Sequence, residues 1–199
     1  MDDIIIGVEC VFCWYWLADL CAEHQIPFTL GPALYMKAIH GGKTKNDKID
    51  SYKLAPLLKG GNFPIAYAYP AKWRATRDLL RRRMYISRRC GELVAHIQNT
   101  NTQYNLPAFG KKLSRKYNHN GVAERFEDPE FRKSVEVDLA MIDSFNQILK
   151  KLEWHIEKTA RANDYHTLYL LRSIPGVGQI LALVILYEIH LEGVNLLHN

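Results

Sequence analysis

Two long stretches of heptad-spaced apolar residues constrain the fold of this chain more than any other feature. The first covers about residues 71–104, and its seam residues are Leu79, Ile86 and Leu93, with Cys90 and Ile97 beside them. The second covers about residues 129–162, and its seam residues are Val135, Ile142, Leu149 and Ile156, with Phe145 and Leu152 at the partner position. Two such helices most simply pack as an antiparallel coiled-coil hairpin. The same seams would also allow pairing between two chains, and the pattern alone does not choose between these arrangements.

Residues 105–128 join the two predicted helices and are rich in Lys, Arg, Asn and Gly. This segment is long for a tight turn. We expect a linker that is partly mobile or that closes on bound nucleic acid.

Basic clusters fall on the first predicted helix and in the linker. Their members are Arg81, Arg82, Arg83, Arg88, Arg89, Lys111, Lys112, Arg115 and Lys116. Tyr104, Phe109 and Tyr117 lie among the linker clusters and suit stacking on unpaired bases. The net charge of +5 and the pI near 9.0 agree with binding to a phosphate backbone. The alternative is a solubilising helix face followed by a flexible loop.

The first seventy residues alternate strand-like and helix-like segments, which predicts an α/β layer. The predicted strands are residues 4–8, 28–30 and 65–69, and the predicted helices are residues 12–24, a short helix ending near Ile39 and a helix that contains Asp47. Pro56 falls inside the last of these helices. A proline there predicts a kink or a division into two shorter helices.

Asp47 and Asp50 lie three residues apart at the predicted start of that helix, so their carboxylates share one helix face. Paired carboxylates can hold hard divalent cations. Lys43 and Lys45 precede them and would suit a polyanionic substrate. The alternative is an ordinary capped helix start with mixed charge, because two Asp residues at this spacing are common.

The segment from Leu171 to Ala182 resembles a helix-hairpin-helix unit. Gly176 and Gly178 allow a tight turn, and the following helix would offer backbone N–H groups to a phosphate. Such units also serve as packing modules without binding DNA.

Taken in order, Glu9 at a strand end, a following apolar helix and then the Asn46-Asp47-x-x-Asp50 helix resemble the DEDD transposases of the bridge-RNA-guided bacterial insertion sequences. This resemblance extends to about residue 190. It implies a partial RuvC-like (RNase H-type) domain, then a coiled-coil arm, then the start of a C-terminal transposase domain. The corresponding boundaries are 1–70, 71–163 and 164–199.

By the same resemblance, Glu9, Asp47 and Asp50 correspond to three of four acids that hold Mg²⁺ or Mn²⁺. The implied partners are DNA, a structured guide RNA and further copies of the chain through the coiled coil, in the cytoplasm of a prokaryote. The fourth acid and the nucleophilic serine of the family have no counterpart here. We therefore expect an incomplete transposase that does not transpose DNA unaided. The competing hypothesis is a non-catalytic nucleic-acid-binding or assembly module.

Other features suggest a chain without membrane spans or disulfides. The longest apolar run, from Ile180 to Tyr187, is too short to cross a bilayer. Four cysteines do not form a disulfide framework in a chain of this size, which favours a reducing compartment. Cys10, Cys13, Cys21 and His24 have zinc-ligand spacing, but the residues between them resemble a core helix, so buried free thiols are the default.

Overall fold

The computed structural model describes residues 4–11, 13–40 and 47–189, and for residues 37–40, 47, 48 and 50 it describes the backbone alone. The protein is mostly helical, with a small parallel sheet near the start of the chain. The predicted combination of an α/β segment with long helices is confirmed at this level. The chain divides into two compact units, one ending at Arg74 and the other beginning at Ala75.

A two-stranded parallel sheet forms the centre of the first unit. Strand β1 (Ile6–Glu9) pairs with strand β2 (Phe28–Gly31), so that Glu9 lies opposite Gly31. Helix α1 (Trp14–Glu23) connects the two strands, as a parallel pair requires. Trp14, Ala18 and Leu30 are buried together where α1 covers the sheet. Both predicted strands and the predicted helix between them are confirmed.

Two further helices follow β2. Helix α2 spans Ala33–His40 and helix α3 spans Asp47–Lys59. A Cβ atom placed on Gly7 of β1 would come within 2.5 Å of Leu58, so α3 packs directly on this strand and requires a glycine there. Pro56 lies inside α3, and the helix continues past it. Of the two predicted outcomes, the division into two shorter helices is wrong. Helix α3 remains a single helix because its packing on the sheet offsets the loss of the hydrogen bond that Pro56 cannot donate.

The predicted third strand at residues 65–69 is wrong as a strand. Only one isolated antiparallel bridge forms there, between Ala66 and Leu30, with the Ala66 N–H donating to the Leu30 carbonyl over 2.6 Å. Pro64 and Pro70 flank this segment and have no N–H to donate. The pairing with β2 therefore cannot extend far in either direction.

The two long helices form the predicted antiparallel hairpin. Helix α4 spans Ala71–Gln103 and helix α5 spans Pro129–Ser173. Arg83 of α4 pairs with Glu153 of α5, while His96, further along α4, contacts Asp138, earlier in α5. The predicted seam of α5 is confirmed, since Val135, Ile142, Leu149 and Ile156 are all buried. In α4 the predicted seam residues Leu79, Ile86 and Leu93 are only partly buried, and the buried apolar residues are instead Leu80, Cys90 and Ile97.

The linker between α4 and α5 folds onto the hairpin, so the expectation of a mobile segment is wrong. Leu113, Val122, Ala123 and Phe126 are buried in one cluster with Ile97, Val135 and Ile142. Arg125 fixes the linker further, since its guanidinium donates to the side-chain oxygen of Asn101 and to the Pro107 carbonyl. The apolar residues scattered among the lysines and arginines are sufficient to order the segment.

Helix α5 extends beyond its predicted end but contains a break. The backbone of Asp164 is non-helical (φ −155°, ψ 74°), and its carboxylate accepts a hydrogen bond from the Thr167 N–H at 3.0 Å. Asp164 therefore acts as the N-terminal cap of a second helical section that ends at Ser173. A tight turn then leads into helix α6 (Gln179–Glu188), which packs back on α5. No helix in the described residues is long and apolar enough to span a membrane.

Candidate nucleic-acid interface

The first predicted site is the acid cluster of Glu9, Asp47 and Asp50. Glu9 is the last residue of β1, and its side chain is half-buried. Asp47 and Asp50 lie in the first turn of α3, and their carboxylates lie outside the described part of the chain. Helix α3 packs on β1 through Leu58 and Gly7, but Leu58 lies near the opposite end of α3 from Asp47 and Asp50, so this contact does not itself bring the three acids together.

The donor chemistry of these residues fits a hard divalent cation. Carboxylate oxygens are the ligands that Mg²⁺ and Mn²⁺ prefer. The Glu9 carboxylate forms no hydrogen bond or ion pair with any described residue, so it is not committed to a structural role there. Among the side chains that the structure describes, no group of three His, Cys, Asp or Glu residues is arranged to hold a metal. The zinc alternative gains no support, because Cys21 is buried while Cys10 and Cys13 are exposed.

The predicted basic clusters on α4 separate into paired and unpaired cations. Arg81 pairs with Glu188, Arg83 with Glu153 and Arg89 with Glu92. Arg82 lies over the ring of Tyr85, and Arg88 is exposed. Neither Arg82 nor Arg88 forms an ion pair with a described carboxylate. Their positive charges are therefore available to an external anion.

The linker cations are more available. Lys111, Lys112 and Arg115 are exposed and form no ion pair with a described residue, whereas Lys116 lies 3.6 Å from Asp143. The interface cations without a carboxylate partner in the described chain are thus Arg82, Arg88, Lys111, Lys112 and Arg115. Lys43 and Lys45 lie outside the described residues.

The three linker aromatics differ in their roles. Tyr104 makes edge contacts with Phe126 and Phe131, and Phe109 lies under the guanidinium of Arg125. These two rings support the linker fold. Tyr117, with 78% of its surface exposed, is the one of the three that remains open for stacking.

A groove of about 720 Å³ lies between α4, α5 and the linker segment that contains Tyr117. We call it the hairpin groove. Arg115, Tyr117 and Lys150 line it together with Ser87, Gly91 and Asn146. Its apolar floor includes Cys90, whose thiol pKa is raised by burial, so that this side chain is uncharged at neutral pH.

The segment of linker beside the groove is held in place by several polar contacts. Asn146 of α5 donates to the Ser114 carbonyl over 2.9 Å. His119 contacts the Leu113 carbonyl at 2.8 Å through one ring nitrogen and lies 3.5 Å from Asp143 through the other. Since the acceptor at Leu113 is a carbonyl, the ring nitrogen that faces it carries a proton. Tyr117 is therefore presented on an ordered loop.

The glycine turn before α6 has the predicted form. Gly176 adopts φ +85°, and the Val177 N–H donates to the Ile174 carbonyl over 3.0 Å. With Pro175 before it, this is the geometry of a type II turn. Gly178 precedes the first residue of α6 and leaves the helix start without a side-chain cap. Glu157 of α5 anchors the region, since its carboxylate contacts Arg161, Arg172 and Gln179.

Sequence analysis missed the contribution of α5 to this surface. Lys150 forms a basic pair with Lys151 but lies on the second predicted helix, where no interface was expected, and Asn146 and Gly91 read as ordinary helix residues. They meet Tyr117 only because the hairpin and the folded linker bring three segments together. The Lys150-Lys151 pair is the signal in the sequence that could have pointed to this surface.

None of the known protein-family models matches this sequence, and no curated protein matches it at a significant level.

Proposed function

We propose that this protein binds nucleic acid through the α4–α5 hairpin and its linker, as the arm of a DNA transposase of the DEDD type. The observation that carries this proposal is the set of exposed cations on α4 and the linker that have no carboxylate partner in the described chain, of which Arg115 also lines the hairpin groove. Cations that are not neutralised within the protein are the ones that replace counterions on a phosphate backbone.

The transposase class is supported by the order of the elements in the first unit. A strand ends in Glu9, and a helix that begins at Asp47 packs on that strand. The family resemblance assigns Glu9, Asp47 and Asp50 to Mg²⁺ or Mn²⁺, which would supply Lewis-acid activation of a phosphodiester. In this proposal Glu9 would come from the end of β1, and Asp47 and Asp50 from the first turn of α3. With the fourth acid and the serine unaccounted for, strand cleavage would need further residues.

The proposed partners are DNA, a structured guide RNA and a second copy of the chain. Self-association through the hairpin has support from α5, where Val137, Met141 and Ile148 are exposed apolar residues at close to heptad spacing. A coiled-coil seam of this kind would also serve the competing hypothesis, in which the chain is an assembly module without catalysis.

Nucleic-acid binding is tested by fluorescence anisotropy with a labelled DNA duplex and a labelled RNA hairpin. The triple variant Arg88→Ala, Lys111→Ala, Lys112→Ala should bind both probes at least about tenfold more weakly at about 0.1 M salt, because three phosphate contacts are lost. The matched control, Lys133→Ala, Lys151→Ala, Lys158→Ala, removes the same charge from exposed residues outside the proposed interface and should bind nearly as the parent does. Equal loss in both variants would refute a defined interface.

Metal binding separates the catalytic proposal from the assembly module. Calorimetric titration with Mg²⁺ and with Mn²⁺ should show saturable binding by the parent chain and none by the double variant Asp47→Ala, Asp50→Ala. Glu23→Ala, an exposed acid at the end of α1, provides a control that should bind as the parent does. No binding by the parent would eliminate the metal site and leave the non-catalytic module as the better account.

A further inference from the structure

The hairpin groove has the volume of a ligand site. Its volume of about 720 Å³ lies within the range of about 300–1,000 Å³ that is usual for small-molecule and nucleotide sites. Helix side chains form two of its walls, and the ordered linker forms the third.

The charge of the groove favours an anion. Arg83 and Glu153 both line it but neutralise each other through an ion pair with an N–O distance of 2.7 Å. Arg115 and Lys150 lie at the same groove and form no ion pair with a described residue. The groove therefore has two uncompensated positive charges that come from two different segments of the chain.

The aromatic group at the groove is exposed more than packing would require. Tyr117 is 78% exposed, although its loop is held by the contacts of Asn146 and His119. Because the loop is already ordered, little conformational entropy is lost when a flat apolar surface stacks on the exposed ring. Nucleic-acid bases offer such a surface only when they are unpaired, because pairing and stacking hide their faces within a duplex.

The groove also has open space beside α4, at a glycine of this helix. A Cβ atom placed on Gly91 would meet no atom within 4 Å, and the neighbouring lining residue is the small Ser87. Gly91 has no positive φ that would require a glycine. A glycine in an exposed helix interior lowers helix stability relative to alanine, so here its lack of a side chain has a structural cost and leaves open space.

We propose that the hairpin groove binds an unpaired nucleotide of a single strand, with the base stacked on Tyr117 and the adjoining phosphates held by Arg115 and Lys150. This inference rests on the proposed function and adds to it the strand state that one part of the interface recognises. The duplex-binding cations Arg88, Lys111 and Lys112 and the single-strand groove are then separate parts of the same arm. A duplex lacks the free base face that the groove requires.

The test compares single-strand and duplex binding by anisotropy. The probes are a short labelled oligothymidylate, the matching oligouridylate and a duplex of the same length. Gly91→Leu fills the groove with a residue that favours the helix, and Tyr117→Ala removes the stacking ring. Each should weaken single-strand binding about tenfold, which corresponds to the loss of one stacked base, while duplex binding stays at the parent value. Thermal unfolding of each variant confirms that the fold is retained.

Two further variants act as controls. Tyr117→Phe keeps the stacking surface and should retain single-strand binding. Tyr165→Ala removes another exposed tyrosine, 61% accessible, from a different surface and should also retain it. Stronger binding of oligouridylate would assign the site to RNA, and stronger binding of oligothymidylate would assign it to DNA; either supports the proposal.

Several results would overturn the proposal. Unchanged single-strand binding in Gly91→Leu and Tyr117→Ala would do so while leaving the proposed function intact, provided that the Arg88, Lys111, Lys112 variant still loses duplex binding. Competition by thymidine monophosphate as effective as that by the oligonucleotide would indicate a free-nucleotide site instead. Failure of the parent chain to bind either strand state would refute the groove and the proposed function together.

Discussion

Glu188, at the end of α6, forms an ion pair with Arg77 of α4 across an N–O distance of 2.9 Å. Arg81, one turn further along α4, donates to the same carboxylate. This contact ties the last described helix to the start of the hairpin. Burial alone would raise the pKa of Glu188, but the hydrogen bond from Arg81 and the charges of Arg77 and Arg81 outweigh it and hold the pKa below its ordinary value.

A carboxylate whose pKa is lower in the folded chain than in the unfolded chain stabilises the fold above the unfolded pKa, and loses this contribution as the pH falls through the folded pKa. We therefore expect Glu188→Gln to lower stability near neutral pH by at most about 1 kcal/mol, since the groups remain partly in water. The difference from the parent should be largest near neutral pH and should shrink at an acidic pH, as the pH falls through the folded pKa of Glu188. Chemical denaturation at both pH values measures it, and Glu136→Gln, in an exposed pair with Lys133, should change little at either.

The folded linker predicts a large effect of Phe126→Ala. Phe126 is 1% exposed and packs with the seam of the hairpin. Its removal should destabilise the protein by about 3–5 kcal/mol, the usual cost of deleting a buried phenylalanine. Tyr117→Ala, in the same linker but exposed, should cost less than about 0.5 kcal/mol in the same denaturation assay. Similar small values for both variants would show that the linker does not pack on the hairpin.

Two glycines should respond in opposite directions to substitution by alanine. Gly176 adopts φ +85° in the turn before α6, where a side chain costs about 1–2 kcal/mol. Gly91→Ala lies in an exposed helix interior with open space around it and should stabilise the chain by about 0.5–1 kcal/mol. Thermal unfolding of the two single variants checks the pair. A stabilising Gly176→Ala would rule out the turn geometry.

Asp164 caps the second section of α5, so its carboxylate should contribute to stability. Asp164→Ala removes the acceptor of the Thr167 N–H and should cost about 1 kcal/mol. Asp164→Asn can still accept this hydrogen bond and should lose much less. If both variants match the parent in denaturation, the break at Asp164 is not held by the cap.

The hairpin could be predicted from sequence because its signal is local and repeated. Val135, Ile142, Leu149 and Ile156 recur every seven residues, and each is buried. The glycine turn before α6 and the strands β1 and β2 could also be predicted. Glycines mark positions where the backbone must turn tightly, and short apolar runs mark strands. These features depend on near neighbours in the chain.

The folded linker and the groove could not be predicted in the same way. Phe126 stands in a polar segment, and nothing in its immediate neighbours shows that it reaches Ile97 and Val135. The groove joins Gly91, Tyr117 and Lys150 from three segments, so its existence depends on tertiary packing. Ion pairing has the same dependence: Arg83 and Arg88 look alike in sequence, but only Arg83 meets a carboxylate across the hairpin.

The salt dependence of duplex binding tests the central claim, that exposed cations of the hairpin arm contact a phosphate backbone. The logarithm of the association constant should fall linearly with the logarithm of salt concentration, with a slope of about −0.9 for each phosphate neutralised. Relative to the parent chain, the Arg88→Ala, Lys111→Ala, Lys112→Ala variant should have a slope that is shallower by about three units. The Lys133, Lys151, Lys158 control should keep the parent slope. A parent slope near zero, or equal slopes in the parent and the interface variant, would contradict the claim.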